Sequence, residues 1–414
     1  MKKLLAALFL LLLICCKESG VQLAKPGTFV RYFSGGFPDQ SQAIIETADN
    51  GFLILANTLP SATNNHYKIK LIKTDAYGNQ EWQRFFPDYE VTTAVNPPDF
   101  RGFGLAAIHD NSDQETGYVI VGDSIKGNNH ALLMIQVDKT GSTKATKIFK
   151  DLNVQGMGVA QAKSTGDFFV LGKSYSTGLD DMFFAQVTST AMDTVWRKTY
   201  GAASTQLTNR VFFDATEKNA YWGGTRTDVT GSKIRFTRAG FDSKSVGFDL
   251  SYPVGGTTSL VGSDMCQYGF QYAFVGGSVI GNNQFDGIVF NRVNVDGGLV
   301  AFQEYDLHPE LKDTDRFPQV TPPGNSICST SDGGFLLLGT LALDAQGTDS
   351  NYLLIKIGSD GTEQWRKLHG SKFIDVGTKV LQASDGGYVV LGTTTLANVQ
   401  SIFLMKTDMQ GSIQ

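Results

Sequence analysis

Acidic, basic and aromatic residues crowd into two proline-flanked stretches of the chain. One holds Asp88, Tyr89, Glu90, Pro97, Pro98, Asp99, Phe100, Arg101 and Phe103; the other holds Asp306, His308, Glu310, Lys312, Asp313, Asp315, Arg316, Phe317, Pro322 and Pro323. Two carboxylates held about 5–10 Å apart do acid and base work on a glycosidic bond. Asp99 with Asp313 or Asp315 would make such a pair if the two stretches met. Arg101 or Arg316 would then hold an anionic group, and Tyr89, Phe100, His308 and Phe317 would complete a ligand-binding surface. The plainer alternative is a pair of solvated loops, stiffened by proline and tied down by local ion pairs.

Other chemistries lack their residues. The histidines, His66, His109, His130, His308 and His369, show neither H-x-H nor H-E-x-x-H spacing, which would set two ligands on one side of a zinc ion. No G-x-S-x-G elbow and no G-x-x-x-x-G-K-[ST] phosphate loop occurs. Asp180 and Asp181 would suit Ca²⁺, but a Gly-rich acidic loop reads more readily as a plain turn. No catalytic residue, metal or cofactor is therefore assigned. With Lys+Arg 35 against Asp+Glu 40 and a net charge of -5, no basic field for nucleic acid exists.

The elements that must position those stretches come from self-comparison of the 414 residues. One unit runs Ser331-Asp332-Gly333-Gly334-Phe335 to Gly339-Thr340, then Tyr352 to Lys356, Asp360, Gly361 and Trp365. The next runs Ser384-Asp385-Gly386-Gly387-Tyr388 to Gly392-Thr393, then Ile402 to Lys406, Asp408 and Gly411. The first runs Asp49-Asn50-Gly51-Phe52 to Ala56, then Ile69 to Lys73, Asp75, Gly78 and Trp82. Weaker copies centre on Gly117–Gly122, Gly166–Gly172, Ala220–Gly224 and Phe270–Gly277, which makes seven. Each unit reads as four short strands, A to D: an Asp/Asn-Gly turn between A and B, a variable loop, a C strand, a second Gly turn, and a D strand that opens with Trp. The 46 Gly, 28 Phe and 14 Tyr agree with many short strands joined by tight turns. The Asp and Gly of these turns read as turn-formers, and Trp82, Trp196 and Trp365, recurring at one position, read as packing anchors between units.

The seventh unit reaches Gly411-Ser412-Ile413-Gln414 without a D strand, whereas Phe29-Val30-Arg31-Tyr32-Phe33-Ser34-Gly35 matches Trp196-Arg197-Lys198-Thr199-Tyr200-Gly201 and Trp365 to Gly370. An N-terminal strand that completes the last unit closes a ring and hides the sheet edges. The expected fold is all-β: a single seven-bladed β-propeller of four-stranded antiparallel blades. Residues 28–36 supply the outer strand of the last blade, and the blades span about 41–86, 104–150, 155–201, 206–250, 258–305, 325–370 and 375–414. The unit resembles the D-G-G-[FY] and K-x-D-x-x-G-x-x-x-W repeats of secreted and lipid-anchored bacterial β-propellers. It departs from the Trp motif of quinoprotein dehydrogenases and from the Asp-box of sialidases in the spacing of Asp, Gly and aromatic.

Residues 1–16, MKKLLAALFLLLLICC, place Lys2 and Lys3 before an apolar run too short to span a bilayer, the pattern of a signal peptide. The end of the run resembles the lipobox of bacterial lipoproteins. That resemblance implies acylation of Cys16, with Cys15 as the rival, a leader over 1–15 and a tether over 16–27. Only Cys266 and Cys328 remain beyond it, which implies no disulfide framework; both read as small buried hydrophobes.

In an A-to-D blade the A–B and C–D turns share one face, and the B–C and D–A connections share the other. All the long segments, 57–67, 87–104, 173–181 and 306–325, fall on the second face, where binding on a constant scaffold usually lives. The sequence thus implies a membrane-anchored lipoprotein of the cell envelope, on an outer membrane or at the cell surface. Its propeller would bind a protein partner or a glycan through the long-loop face; the alternative is a glycan-active hydrolase or lyase.

Overall fold

The computed structural model describes residues 27–60, 66–87, 97–175, 181–200, 204–208, 210–228, 231–241, 245–252, 259–280, 284–307, 321, 323–344 and 347–413. They form seven antiparallel sheets arranged as a ring, a seven-bladed β-propeller without helices among the described residues. The first blade shows the plan, with strands Asp39–Glu46, Phe52–Thr58, Lys68–Thr74 and Gln80–Phe86 in that order across the sheet. Blades two and three run from Asp99–His109 to Thr143–Phe149 and from Val154–Gln161 to Thr194–Tyr200. Blade four is completed by Val246–Tyr252, and blades five and six run from Ser259–Tyr268 to Leu299–Asp306 and from Gly324–Ser329 to Glu363–His369. The first strand of each blade is innermost, and neighbouring blades meet through these strands.

Burial follows from this stacking. The second and third strands are covered on both faces, so Phe52–Thr58 is buried throughout, whereas Gln80–Phe86 at the rim is mostly exposed. Each apolar cluster joins one blade to the next. Phe29, Phe33, Phe52 and Ile54 pack with Val389, Leu391 and Leu404 across the seventh-to-first joint. That joint is closed by the N-terminal strand Phe29–Phe33, which pairs antiparallel with Val399–Thr407: Phe29 lies opposite Lys406 and Phe33 opposite Ile402.

The register explains why this segment fits. Trp82 lies opposite Lys73 and Trp365 opposite Lys356, so Phe29 occupies the tryptophan position of the seventh blade. Each of these rings covers the turn glycine of the following blade. A Cβ on Gly141 would stand 2.7 Å from Trp82, one on Gly411 2.5 Å from Trp365, and one on Gly78 under 3 Å from Phe29. All three glycines also have positive φ.

The Asp-Gly-Gly turns do more than reverse the chain. Lys356, buried in the third strand of its blade, reaches Asp332 Oδ2 at 3.0 Å and donates to Ile357 O at 3.2 Å. Lys406 reaches Asp385 Oδ2 at 2.6 Å, and Lys73 reaches Asp49 Oδ2 at 2.8 Å. A Cβ on Gly334 would stand 2.5 Å from Lys356 Nζ, so the second glycine is empty space reserved for the ammonium. Burial pushes the Asp332 carboxyl up, but hydrogen bonds from Thr330, Lys356 and the Gly334 amide outweigh it and hold the group below its usual range.

Two departures from the sequence reading follow. Residues 99–103 form the start of the second blade's inner strand: Asp99 pairs with Ile125, Phe100 with Ser124 and Arg101 with Asp123, before a bulge at Gly102. The fourth blade's inner strand is split into Ser204–Leu207 and Phe212–Phe213, both paired to Asn219–Asp228.

Ring closure is testable by connectivity. Deleting residues 1–34 exposes the edge of Val399–Thr407 and is expected to give oligomers or aggregates on size exclusion. A circular permutant that begins at Gly36 and joins Gln414 directly to Phe29 restores the Gly-x-x-x-aromatic spacing of Gly361 and Trp365, and is expected to be monomeric with native stability. An aggregated permutant would refute this account of the joint.

Candidate functional site

Hairpins such as Thr47–Gly51, Asp75–Asn79 and Asp408–Ser412, each closed by backbone hydrogen bonds, make up one face of the ring. Phe29 packs against Gly78 on that same face, so the described chain enters the ring there. The opposite face carries the second-to-third-strand loops and the inter-blade connections. Among the described residues, two polar clusters and one cavity at the seams between successive blades lie on it.

Between the first and second blades lies Asp99. Its Oδ1 is 3.0 Å from His66 Nδ1 and accepts the Tyr67 amide at 3.2 Å, while Oδ2 is 3.5 Å from an Arg101 terminal nitrogen. An ionised carboxylate only accepts, so His66 Nδ1 carries the hydrogen. The Arg101 guanidinium lies 4.2 Å from the Tyr67 ring centroid, a cation–π contact. Its Nε is buried and has no hydrogen-bond partner among the described residues. The Phe100 amide donates to Tyr67 O at 2.9 Å, which staples the first blade's loop onto the second blade's inner strand. Phe100 itself is buried with Leu55, Phe86 and Ile120, so its ring packs the two blades together and is no platform for a ligand, contrary to the sequence reading. Tyr89, His308, Asp313, Asp315, Arg316, Phe317 and Cys16 lie outside the described residues.

A second cluster, between blades two and three, was not read from the sequence. His130 Nδ1 lies 2.7 Å from Asp123 Oδ2, which also accepts from Gln155 Nε2 at 3.2 Å. His130 stacks on Tyr175 with centroids 4.4 Å apart, and the Tyr175 hydroxyl donates to Gln155 Oε1. Asp123 is fully buried, with Oδ1 unpartnered among the described residues. The one visible signal was an acid embedded in the apolar strand Tyr118-Val119-Ile120-Val121-Gly122-Asp123. The seam between the seventh and first blades holds a cavity of about 440 Å³.

The ring axis is crossed by a charge network that the sequence reading also missed. The residue after the bulge of each inner strand is small in the first three blades, Ala43, Gly104 and Gly158, but polar in the last three, Asp264, Ser326 and Lys379. Asp264 Oδ2 accepts from Ser326 at 2.6 Å and from Lys379 at 3.1 Å. Arg210, freed by the split strand of blade four, comes within 3.6 Å of Asp264 Oδ1 and donates to the Ile327 carbonyl at 3.2 Å. Burial pushes the Asp264 carboxyl up, but Arg210 and Lys379 outweigh it and hold the group below its usual range. Burial pushes the Lys379 amine down to about 8; Asp264 opposes the drop and Arg210 adds to it. Cys266 and Cys328 are free, buried thiols that burial pushes up, Cys328 to about 12, so neither is a ready nucleophile.

No protein-family model matches the chain, and no curated protein matches it. Several hundred solved structures do. A chain of the mitotic checkpoint complex superposes with a TM-score of 0.55 at 11% identity, covering 95% of this chain and 96% of that one. The Dos1 propeller gives 0.49 at 9% identity, covering 88% of this chain and 77% of that one. An acylaminoacyl peptidase of Pyrococcus horikoshii gives 0.45 at 10% identity; 90% of this chain matches 52% of the peptidase. At such identities the likeness is one of fold.

The axial network sets an order among variants. Asp264→Asn leaves Arg210 and Lys379 without their shared anion and is expected to cost about 3–5 kcal/mol in urea unfolding. Lys379→Met leaves Asp264 paired with Arg210 and is expected to cost less. Because the folded amine has the lower pKa, the unfolded chain binds the extra proton above pH 8. Stability therefore gains a rising component between pH 8 and the ordinary lysine range, and Lys379→Met removes it. The carboxylate's stabilisation is present above the ordinary Asp range and is lost as pH falls through the lowered value. Equal losses in both variants would refute the shared-anion account.

Proposed function

We propose that the protein is a lipid-anchored envelope lipoprotein whose propeller is a binding module for a glycan or a protein partner, engaged through the long-loop face. The β-propeller is a scaffold that presents variable loops on a constant ring. One observation supports the reading: the described chain enters the ring on the hairpin face, at Phe29, while the polar and aromatic clusters lie on the opposite one. About eleven residues separate Cys16 from Thr28, a reach of roughly 35–40 Å when extended. An acyl chain at Cys16 would hold the hairpin face toward the bilayer and turn the grooves outward. In the first of them, Arg101 supplies a guanidinium with a buried hydrogen unmet, flanked by the Tyr67 ring and the His66 imidazole. This is the equipment of recognition. The Asp99 carboxylate is engaged with His66, Tyr67 and Arg101, so it orients these neighbours in place of shuttling a proton.

Two measurements check the reading. Cys16→Ser is expected to abolish acyl-chain labelling in cells and release the protein into the soluble fraction, with Cys15→Ser still labelled; labelling that survives Cys16→Ser would refute the anchor. On a glycan array and in envelope-extract capture, Arg101→Ala with His66→Ala is expected to weaken binding at least tenfold against a correctly folded control. Unchanged binding would remove this groove from the site.

A further inference from the structure

The cavity between the seventh and first blades opens on the long-loop face and is walled by Phe37, Lys68, Lys70, Gln83 and Phe85. Its volume of about 440 Å³ falls within the roughly 300–1,000 Å³ usual for small-molecule sites. The charge within it is uneven. Lys70 is buried and its ammonium pairs with fully buried Asp39 at 2.9 Å. Lys68 has no carboxylate counter-ion among the described residues, although the chain as a whole is acidic.

Lys70 sharpens the case. It is 2% exposed, yet of its three ammonium hydrogens the described residues accept one, at Asp39 Oδ2, and Asp39 Oδ1 is buried without a partner. A half-satisfied buried ion pair is costly. The unmet hydrogens belong to a group in the cavity wall, where an anionic acceptor completes them. The remaining wall suits a hydroxylated ring: Phe85 is 37% exposed, Phe37 partly so, and Gln83 offers both an amide donor and an acceptor.

We propose that this cavity binds the carboxylate-bearing sugar of an acidic glycan, with Lys70 and Lys68 on the carboxylate and the two phenylalanines against the apolar face of the ring. The inference rests on the binding reading above and gives it a ligand class. Charge complementarity selects the anion. Aromatic walls set among hydrogen-bonding groups select a sugar over an extended acidic peptide.

The test uses the lipidated protein in detergent and three probes measured by calorimetry: digalacturonate, its neutral counterpart digalactose, and a hexapeptide of aspartate. Digalacturonate is expected to bind at least tenfold more tightly than either of the others, and to weaken as salt rises from 50 to 500 mM, about as two screened charge contacts require. Lys68→Met with Gln83→Ala, both at the cavity wall and outside the core, is expected to weaken it tenfold or more with the unfolding midpoint unchanged. Lys70→Met serves as a second probe if its circular dichroism is native. Equal binding of the neutral sugar, tighter binding of the peptide, or unaltered binding by the double variant would each overturn the proposal. If the glycan array still shows ligands sensitive to Arg101 while uronates fail here, this inference alone falls. If neither groove's variants alter any binding, the long-loop reading falls with it.

Discussion

Five residues, Phe29 to Phe33, pair with a strand nearly four hundred residues later, and the ring depends on that pairing. Without it the seventh blade would end in an open edge at Val399–Thr407, and the first blade would lose the ring that covers Gly78. The joint reproduces what every other blade has: an apolar cluster shared with its neighbour and an aromatic over the next turn glycine. Phe29 stands where Trp82 and Trp365 stand in their own blades. Closure in this form makes the stability of the last blade depend on the first segment of the propeller to be synthesised, so the chain cannot complete its fold before both ends are present.

Inside each well-formed blade a second constraint operates. The buried lysine of the third strand, the aspartate of the first turn and the glycine beside it form one device, in which each residue explains the others. Lys356 can be buried because Asp332 and a backbone carbonyl meet its ammonium, and it can reach them because Gly334 has no Cβ. The D-G-G and K-x-D motifs, whose Asp and Lys lie 21 to 24 residues apart in sequence, are therefore two halves of one contact. The third blade has a neutral residue in place of the lysine: Gln186 donates to Asp167 and accepts from Trp196.

Repetition made the architecture legible, since turn glycines and anchor tryptophans obey local rules that recur seven times. Ring closure was readable too, because Phe29 to Gly35 copies a fourth-strand pattern. What escaped the sequence are features defined by difference between repeats. Asp264, Ser326 and Lys379 share one post-bulge position, yet their meeting on the axis requires knowing that this position faces inward, and that blade four breaks its strand to send Arg210 across. Phe100 looked like a ligand platform because it fell in the long segment 87–104, but the strand begins at Asp99, ahead of the expected blade start at about 104, and turns the ring into the core. Asp99 and Arg101 were legible as chemistry-bearing residues; His66 and Tyr67, their partners from a loop thirty residues back, were not.

The axial network also bears on where a ligand can act. Four blades converge on Asp264, and the cavity beside it, about 400 Å³, is shared with apolar side chains of the first, second and seventh blades. A charged group already neutralised by two cations and a hydroxyl at the axis gains little from a further partner, and displacing any of them leaves a buried charge unpaired. Asp264 Oδ1 on the axis has no hydrogen-bond partner among the described residues either, but in the seams between blades the unmet buried atoms belong to Asp39, Arg101 and Asp123. Binding at those positions completes hydrogen bonds that folding left unfinished, without dismantling anything that holds the ring. On the reading proposed above, recognition belongs to the seams between blades on the long-loop face, and the axis belongs to stability.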